Sequence, residues 1–286
     1  MSMENDESFA LATHETVLKR FKRLRNVRPG VLASFIQRLA GPEERRRIVR
    51  TANGLRVYLD PLSHLGTTTL TDGCYEAETE QIFRNNLRLG DTFLDVGANE
   101  GYFSALCGTL VGEKGLVIAV EPQSRLRDVI EINLRINDVS RFAIYRNALG
   151  GEDGTTGVIN LWPSFNTGAS SVVVRYRFSR ATESFSFVTL DRIMREQGLT
   201  SIDLAKVDVE GFEDEVVDAL ATHLRNGVVR KLLLDFHRPA LVARGIQAEA
   251  IHVKVLAAGY KVIQGDSKSL HGYVLYEHRA SSVTWS

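Results

Sequence analysis

The residues of this chain best suited to chemistry stand in short clusters, each at the end of an apolar run. Thr92-Phe93-Leu94 leads into Asp95-Val96-Gly97-Ala98-Asn99-Glu100-Gly101-Tyr102, and Leu116–Val120 leads into Glu121-Pro122. Arg141–Tyr145 precedes Asn147-Ala148, Leu204–Val207 precedes Asp208-Val209-Glu210-Gly211, and Lys231–Leu234 precedes Asp235-Phe236-His237. Gly97 and Gly101 let the backbone reverse tightly and approach a ligand with no Cβ in the way. A dinucleotide fingerprint would carry three glycines around a pyrophosphate. Here there are two, with Asn99 between them and a carboxylate two places before the first. A carboxylate at 95 would repel a pyrophosphate and suits a cationic ligand. Glu121, 26 residues after Asp95, is placed to accept hydrogen bonds from a ribose diol. An adenosine with a positively charged amino-acid tail meets both conditions, and that ligand is S-adenosylmethionine. The expected binding residues are Asp95, Gly97, Ala98, Asn99, Gly101, Tyr102, Glu121, Pro122, Asn147 and Ala148. The plainer alternative for Asp95 and Glu121 is a pair of solvated strand-end acids.

Methyl transfer from a sulfonium is an in-line displacement, so a dry cleft must align acceptor, carbon and sulfur. A hydroxyl acceptor is a poor nucleophile and needs help to lose its proton. Asp208 and His237 are the candidates, one as base and the other positioning the acceptor; a histidine simply bonded within a loop is the competing reading. Glu210 is either catalytic or holds a backbone N–H at the start of the next helix. Lys206 alternates with Asp208 and shares its face, where a buried ion pair is the simplest account. Asp208, Asp235 and His237 could gather a divalent cation. Two carboxylates and a histidine on adjacent strands need no metal, so a cation is not favoured and no metal ligand is assigned.

Such clusters need a rigid edge to carry them. Strands are predicted at 56–60, 92–96, 116–120, 141–145, 204–209, 231–236, 260–263 and 273–276. Helices are predicted over 76–89, from near 101, and over 125–136, 190–197, 213–224 and 248–258. Apolar strands alternating with amphipathic helices give an α/β, doubly wound, mostly parallel sheet, whose ligands sit beyond the carboxyl ends of the strands. The polar stretch 150–188 is too long for a plain connection and reads as an insertion with β-like pieces at 158–161 and 172–176. Its segment 162–168, then Ser170-Ser171, is placed to wall an acceptor site, with Trp162 and Phe165 suited to stacking. Arg175, Arg177 and Arg180 alternate and would attract an anion if they face the cleft.

The 286 residues carry 35 Lys/Arg and 35 Asp/Glu, but unevenly: residues 1–50 hold 11 basic against 6 acidic, the remainder 24 against 29. Apolar residues at helical spacing (Val17, Phe21, Leu24, then Leu32, Phe35, Ile36, Leu39) flank Pro29. Residues 1–50 are therefore expected to be a basic helical extension, packing on the main domain or on a second subunit as a homo-oligomer contact. No apolar run reaches the ~18 residues of a membrane span. Cys74 and Cys107 form neither a disulfide framework nor a zinc spacing and read as small buried apolar residues. A cytoplasmic protein is expected.

Phe93–Ser104, Val120-Glu121-Pro122, Thr189-Leu190-Asp191 and Leu204–Glu213 together resemble the FkbM-type methyltransferases, from about Gly73 to the end of the chain. The pairing of G-A-N-x-G with K-x-D-x-E-G-x-E is far more specific than either motif alone. One departure is Asp235, where the family commonly has Glu; residues 1–50 match nothing in it. The resemblance implies a seven-stranded, Rossmann-like class I methyltransferase domain over 51–286, with 150–188 as the acceptor-site insertion. It also implies an S-adenosylmethionine-dependent enzyme acting on oxygen of a sugar or natural-product small molecule. Two rival classes bear on that expectation. A nicotinamide oxidoreductase is disfavoured by the missing third glycine. A nucleic-acid methyltransferase has only the basic extension for it, and Asp208-Val209-Glu210-Gly211 stands where an adenine-N-methylating enzyme would have an N/D-P-P-Y/F turn. A peptide acceptor and a non-catalytic module that only binds the cofactor are the remaining alternatives.

Overall fold

The computed structural model describes residues 45–161, 167, 170 and 181–282. A two-stranded ribbon comes first, β1 (Arg47–Arg50) antiparallel to β2 (Arg56–Leu59). Arg47–Arg50 were expected inside the helical extension, and they form a strand instead. With Arg at both ends and only Ile48 and Val49 between, the segment has no helical apolar face. Two helices follow, α1 (His64–Asp72) and α2 (Ala77–Asn86). The first is capped by Ser63, whose hydroxyl accepts from the Gly66 N–H, and it ends at left-handed Gly73.

Regular alternation then runs β3 (Thr92–Val96), α3 (Tyr102–Val111), β4 (Leu116–Val120), α4 (Arg127–Ile136) and β5 (Phe142–Tyr145). β6 (Asn147–Leu149), β7 (Thr156–Leu161) and β8 (Ala181–Val188) build a separate three-stranded sheet in the order β6-β8-β7. Most of the described part of the stretch 150–188 thus lies in this small sheet, with 150–155, Thr167 and Ser170 outside its strands. The chain continues α5 (Leu190–Gln197), β9 (Ile202–Val207), α6 (Glu213–Arg225), β10 (Val229–Phe236), α7 (Arg238–Ala243) and α8 (Ala248–Ala257). It closes with β11 (Tyr260–Gln264) and β12 (Gly272–His278).

The main sheet has seven strands in the order β11-β12-β10-β9-β3-β4-β5, and only β12 runs against the rest. Every residue of β3 and β4 is buried, as a parallel strand covered on both faces must be. On one face Ile82, Phe83, Phe103, Leu106, Ile130 and Leu134 from α2–α4 pack against Phe93 and Val117. On the other, Ile193, Val217, Leu220, Ile251 and Val255 from α5, α6 and α8 pack against Leu94, Ile118 and Leu232. At about 1.5–3 kcal/mol per fully buried large apolar side chain, these two layers hold the strand tips rigidly. The fold is the doubly wound α/β architecture expected. Cys107 is buried but Cys74 only half-buried, since it follows the helix-ending Gly73 at the rim. No described helix is long and apolar enough to cross a membrane. The helices expected over 17–39, the strand expected at 172–176, and Trp162, Phe165, Ser171, Arg175, Arg177 and Arg180 lie outside the described residues.

Candidate functional site

Strand order reverses at β3, with β4 and β5 to one side and β9 and β10 to the other, so a crevice opens at the carboxyl ends of β3 and β9. Gly97 ends β3 with φ 81°, and a Cβ there would lie 1.9 Å from the carbonyl oxygen of Asp208. Only glycine lets the two strand tips lie side by side. Gly101, at φ 78°, starts α3 so close to α4 that a Cβ would meet Ile130 Cα at 3.0 Å. Between them Asn99 is left-handed without being glycine, φ 49°.

Two cavities meet in this crevice. The first has apolar walls from Val120, Leu149, Ile159 and Phe212, with Gly97, Asn99, Glu121, Pro122, Gln123 and Ala148 around them. The second is polar and lined by His64, Glu76, Thr167, Asp235 and His237. Tyr75, Asn99, Asp208 and Glu210 belong to both. Among the described lining residues there is no Lys or Arg.

In the first cavity Glu121 is held by two backbone donors. Asn99 N–H donates to one carboxylate oxygen at 2.9 Å and Gln123 N–H to the other at 3.0 Å. Burial pushes its pKa up, while these same hydrogen bonds pull the other way. Lone pairs remain on both oxygens for a hydroxyl donor. Of the expected binding residues, Gly97, Asn99, Glu121, Pro122 and Ala148 stand on the wall of this cavity.

Asp95, Ala98, Gly101, Tyr102 and Asn147 do not stand on that wall. Asp95, expected to face a cationic ligand, is completely buried beneath the turn. Ser104 Oγ donates to it at 2.6 Å and Lys206 Nζ lies 3.5 Å away, so the protein itself supplies its cation. Ala98 donates its N–H to Val120 O, and Gly101 donates its N–H to Ala98 O, so both shape the turn from behind. Tyr102 turns its hydroxyl to Glu80 at 2.5 Å and accepts the Tyr75 N–H at 3.0 Å, which places Tyr75 rather than Tyr102 in the crevice. Asn147 is turned into the small sheet, where its amide donates to Ser186.

The second cavity is a charge cluster. Lys206 Nζ bridges Asp208 at 3.0 Å and Asp95 at 3.5 Å, the buried ion pair anticipated for it. Tyr273 Oη donates to Asp208 at 2.9 Å. Burial would raise the Asp208 carboxyl, but Lys206 and then His237 hold it below the usual range. Burial, reinforced by Asp208 and Asp235 against the pull of His237, pushes Glu210 up to about 7. Burial and the neighbouring Asp208 push Asp235 up to about 7 as well. His237 goes the other way. Burial alone would lower it, but the bond to Glu213 and then Asp208, Glu210 and Asp235 lift it to about 10.

That last shift bears on the choice between His237 and Asp208 as base. An imidazole lifted so far already carries its proton at neutral pH, and Asp208 has its proton affinity suppressed by Lys206. Glu213 accepts the Gly211 N–H at 2.9 Å, while Glu210, left-handed at φ 52°, turns into the crevice. Asp208, Asp235 and His237 each bring one ligand atom within 4.8 Å of the others and are the described residues able to hold a divalent cation.

Thr167, in the stretch 150–188, reaches this junction. Thr167 Oγ1 donates to Asn99 at 2.8 Å and to Glu100 at 3.1 Å, and its carbonyl accepts from Gln123 Nε2 at 3.2 Å. Arg46 anchors the far side of Glu100 at 2.5 Å. Tyr75, Glu76, Phe212 and Glu213 were not foreseen. The first two precede β3 by about a helix and approach it only through the fold, and Glu213, though it closes the K-x-D-x-E-G-x-E motif, reads by position as a helix-starting acid.

A doubly wound sheet with a crevice at its switch point, apolar on one side and acid-lined on the other, is the arrangement in which α/β proteins of this class take their ligands. The profile of the methyltransferase FkbM domain matches residues 95–268, more than half of the chain. The chain belongs to the FkbM methyltransferase family, and so to the S-adenosylmethionine-dependent methyltransferases. Similar solved structures include a putative rRNA methylase from Clostridium thermocellum, 11% identical over 70% of this chain and 93% of that one, TM-score 0.44. Another is an O-methyltransferase from Bacillus cereus in complex with S-adenosylhomocysteine, 9% identical over 72% and 82%, TM-score 0.42. A third is an S-adenosylmethionine-dependent O-methyltransferase from Thermotoga maritima, 12% identical over 81% and 77%, TM-score 0.41. No curated protein matches the chain.

Proposed function

We propose that this protein methylates a hydroxyl on a sugar or natural-product small molecule, with Glu210 receiving the acceptor's proton. The observation that carries this reading is the shared wall of Tyr75, Asn99, Asp208 and Glu210 between the two cavities. The first cavity fits an adenosyl ligand. Its apolar walls suit adenine and Glu121 suits a ribose diol, while Gly97 lets the tips of β3 and β9 lie side by side at its wall. When bound, S-adenosylmethionine supplies an electrophilic methyl group on a sulfonium.

The chain's own residues do the rest. Asp208 and Glu210, on both walls, present carboxylates where an acceptor oxygen must lie. A base with a pKa near the working pH is the most effective, and burial brings Glu210 to about 7. His237 offsets the negative charge that collects there. Phe212 and the aromatic Tyr75 limit water around the junction.

The acid-lined wall favours a neutral or cationic acceptor over a phosphodiester or carboxylate, which it would repel. That weighs against nucleic acid. Asp208, Asp235 and His237 are the residues that would hold a divalent cation, which is not favoured beside Lys206 and His237. The region 51–286 is taken as the catalytic domain, with the stretch 150–188 contributing the acceptor-side wall through Thr167.

Calorimetry with S-adenosylhomocysteine tests the donor side, and transfer of labelled methyl to fractionated small metabolites tests the acceptor side. Heat on titration and a labelled neutral or basic product are expected. Folded protein giving no heat would refute the donor assignment, and label appearing only in RNA would refute the acceptor class.

A further inference from the structure

Glu213 lines neither cavity and is completely buried at the first residue of α6. One oxygen, Oε1, accepts the Gly211 N–H at 2.9 Å and lies 2.8 Å from His237 Nδ1. The other, Oε2, has no hydrogen-bond partner among the described residues. Because a carboxylate oxygen accepts, Nδ1 is the N–H donor. The opposite ring nitrogen, Nε2, then faces the acid-lined cavity, 3.6 Å from Asp208 Oδ1, 3.6 Å from Glu210 Oε2 and 3.6 Å from Asp235 Oδ2.

We propose that Glu213 is a positioning residue, whose single oxygen clamps the His237 ring and the Glu210–Gly211 turn together so that Nε2 and the Glu210 carboxylate address the same acceptor atom. The proposal rests on reading this crevice as the methyl-transfer site.

Three observations favour it over a plain helix-starting acid. Asp214 and Glu215 already supply negative charge in the same turn, and both bind Arg244. A buried carboxylate with one oxygen unpartnered is costly to keep, and an apolar side chain of similar size would be cheaper for the fold. Finally, the turn it holds is left-handed at both residues, φ 52° at Glu210 and 98° at Gly211, and needs outside support to stay so. The geometry follows the general pattern in which a working side chain is oriented by a third group.

The test compares Glu213→Leu, which removes the clamp, with Glu213→Gln, which keeps an acceptor oxygen in the same place. In protein labelled with ¹⁵N-histidine, a slowly exchanging Nδ1 proton of His237 is expected in the native chain and in Glu213→Gln. It is identified by its loss in His237→Gln, and it should vanish in Glu213→Leu. Turnover on the metabolite fraction that the native protein labels should fall about 100-fold in Glu213→Leu and stay within about threefold in Glu213→Gln, the scale expected for a reacting group misplaced by an ångström. Adding Glu213→Leu to His237→Gln should cost less turnover than Glu213→Leu costs in the native chain, because the share of the clamp that acts through His237 is already gone.

Binding of S-adenosylhomocysteine should be unchanged throughout, so loss of that heat in native protein would sink the functional reading instead. Native-like turnover in Glu213→Leu, or no protected Nδ1 proton in the native chain, would overturn the clamp. If Glu213→Leu does not fold, the native spectrum against His237→Gln decides.

Discussion

Replacing Glu121 by Gln keeps the shape of the side chain and removes one acceptor. In the native chain two backbone N–H groups, the part-buried one of Asn99 at 2.9 Å and the buried one of Gln123 at 3.0 Å, each have a carboxylate oxygen. Glutamine has one oxygen, so its amide nitrogen must face one of those donors. An N–H left without a partner in a buried setting costs about 1–3 kcal/mol. The urea midpoint of unfolding should fall accordingly. The donor site loses more than stability, because a charge-assisted bond to a ribose hydroxyl is worth about 1.5–3 kcal/mol, or roughly 10- to 150-fold in affinity. Titration calorimetry with S-adenosylhomocysteine reads the second effect, and a urea melt of the same sample reads the first. A lowered midpoint with unchanged affinity would mean that Glu121 only ties Asn99 to Gln123, and the assignment of the first cavity to an adenosyl ligand would lose its main polar support.

Other perturbations test neighbouring parts of the crevice. Gly97→Ala combines a left-handed penalty of about 1–2 kcal/mol with a clash against Asp208 O, for a total of about 3 kcal/mol on thermal unfolding; a native melting curve would contradict the described contact. Asp208→Asn should retain S-adenosylhomocysteine binding and lose methyl transfer, and undiminished turnover would remove Asp208 from the mechanism. With burial lifting Glu210 to about 7, the initial rate should fall on the acid side of neutrality, and the Glu210→Gln variant should lose that limb. His237 is raised from 6.5 to about 10 chiefly by Glu213 and its acidic neighbours, against the opposing effect of burial. Its folded form therefore binds the proton more tightly than the unfolded one. The stability it contributes is complete below about pH 6.5 and disappears as pH climbs toward 10. Denaturant midpoints of native protein and His237→Gln should converge over that interval, and parallel curves would refute the assignment.

Much of this architecture is legible in the amino-acid order because the central strands carry no mixed message. Thr92–Val96, Leu116–Val120 and Leu190–Gln197 have the same limits in the structure as in the sequence reading, since compact apolar runs, or a Thr cap with a terminal glycine, leave one solution. The misses share a cause as well. α1 contains Thr67, Thr68, Thr69 and Thr71, which resist helix by intrinsic preference, and forms because Ser63 and Gly73 cap it while Leu65 packs inward. Asp95 reads like a ligand-facing acid because strand-tip position is visible in a sequence and the occupant of the neighbouring strand is not. Lys206 stands beside it in register. Glu213 shows the same gap, as its partner His237 is 24 residues away and is brought to it only by the parallel pairing of β9 and β10.

Five non-glycine residues adopt positive φ among those described, and three of them, Glu76, Asn99 and Glu210, line the crevice. Each holds a conformation that glycine would adopt at a net saving of about 1 kcal/mol. Selection for heat tolerance alone would therefore drift toward glycine at 76, 99 and 210, producing a sturdier molecule with three side chains stripped from the wall of its crevice. Thermostabilising this protein while keeping it useful means leaving those three positions untouched and improving the fold elsewhere, for instance at exposed Leu89 or Val242.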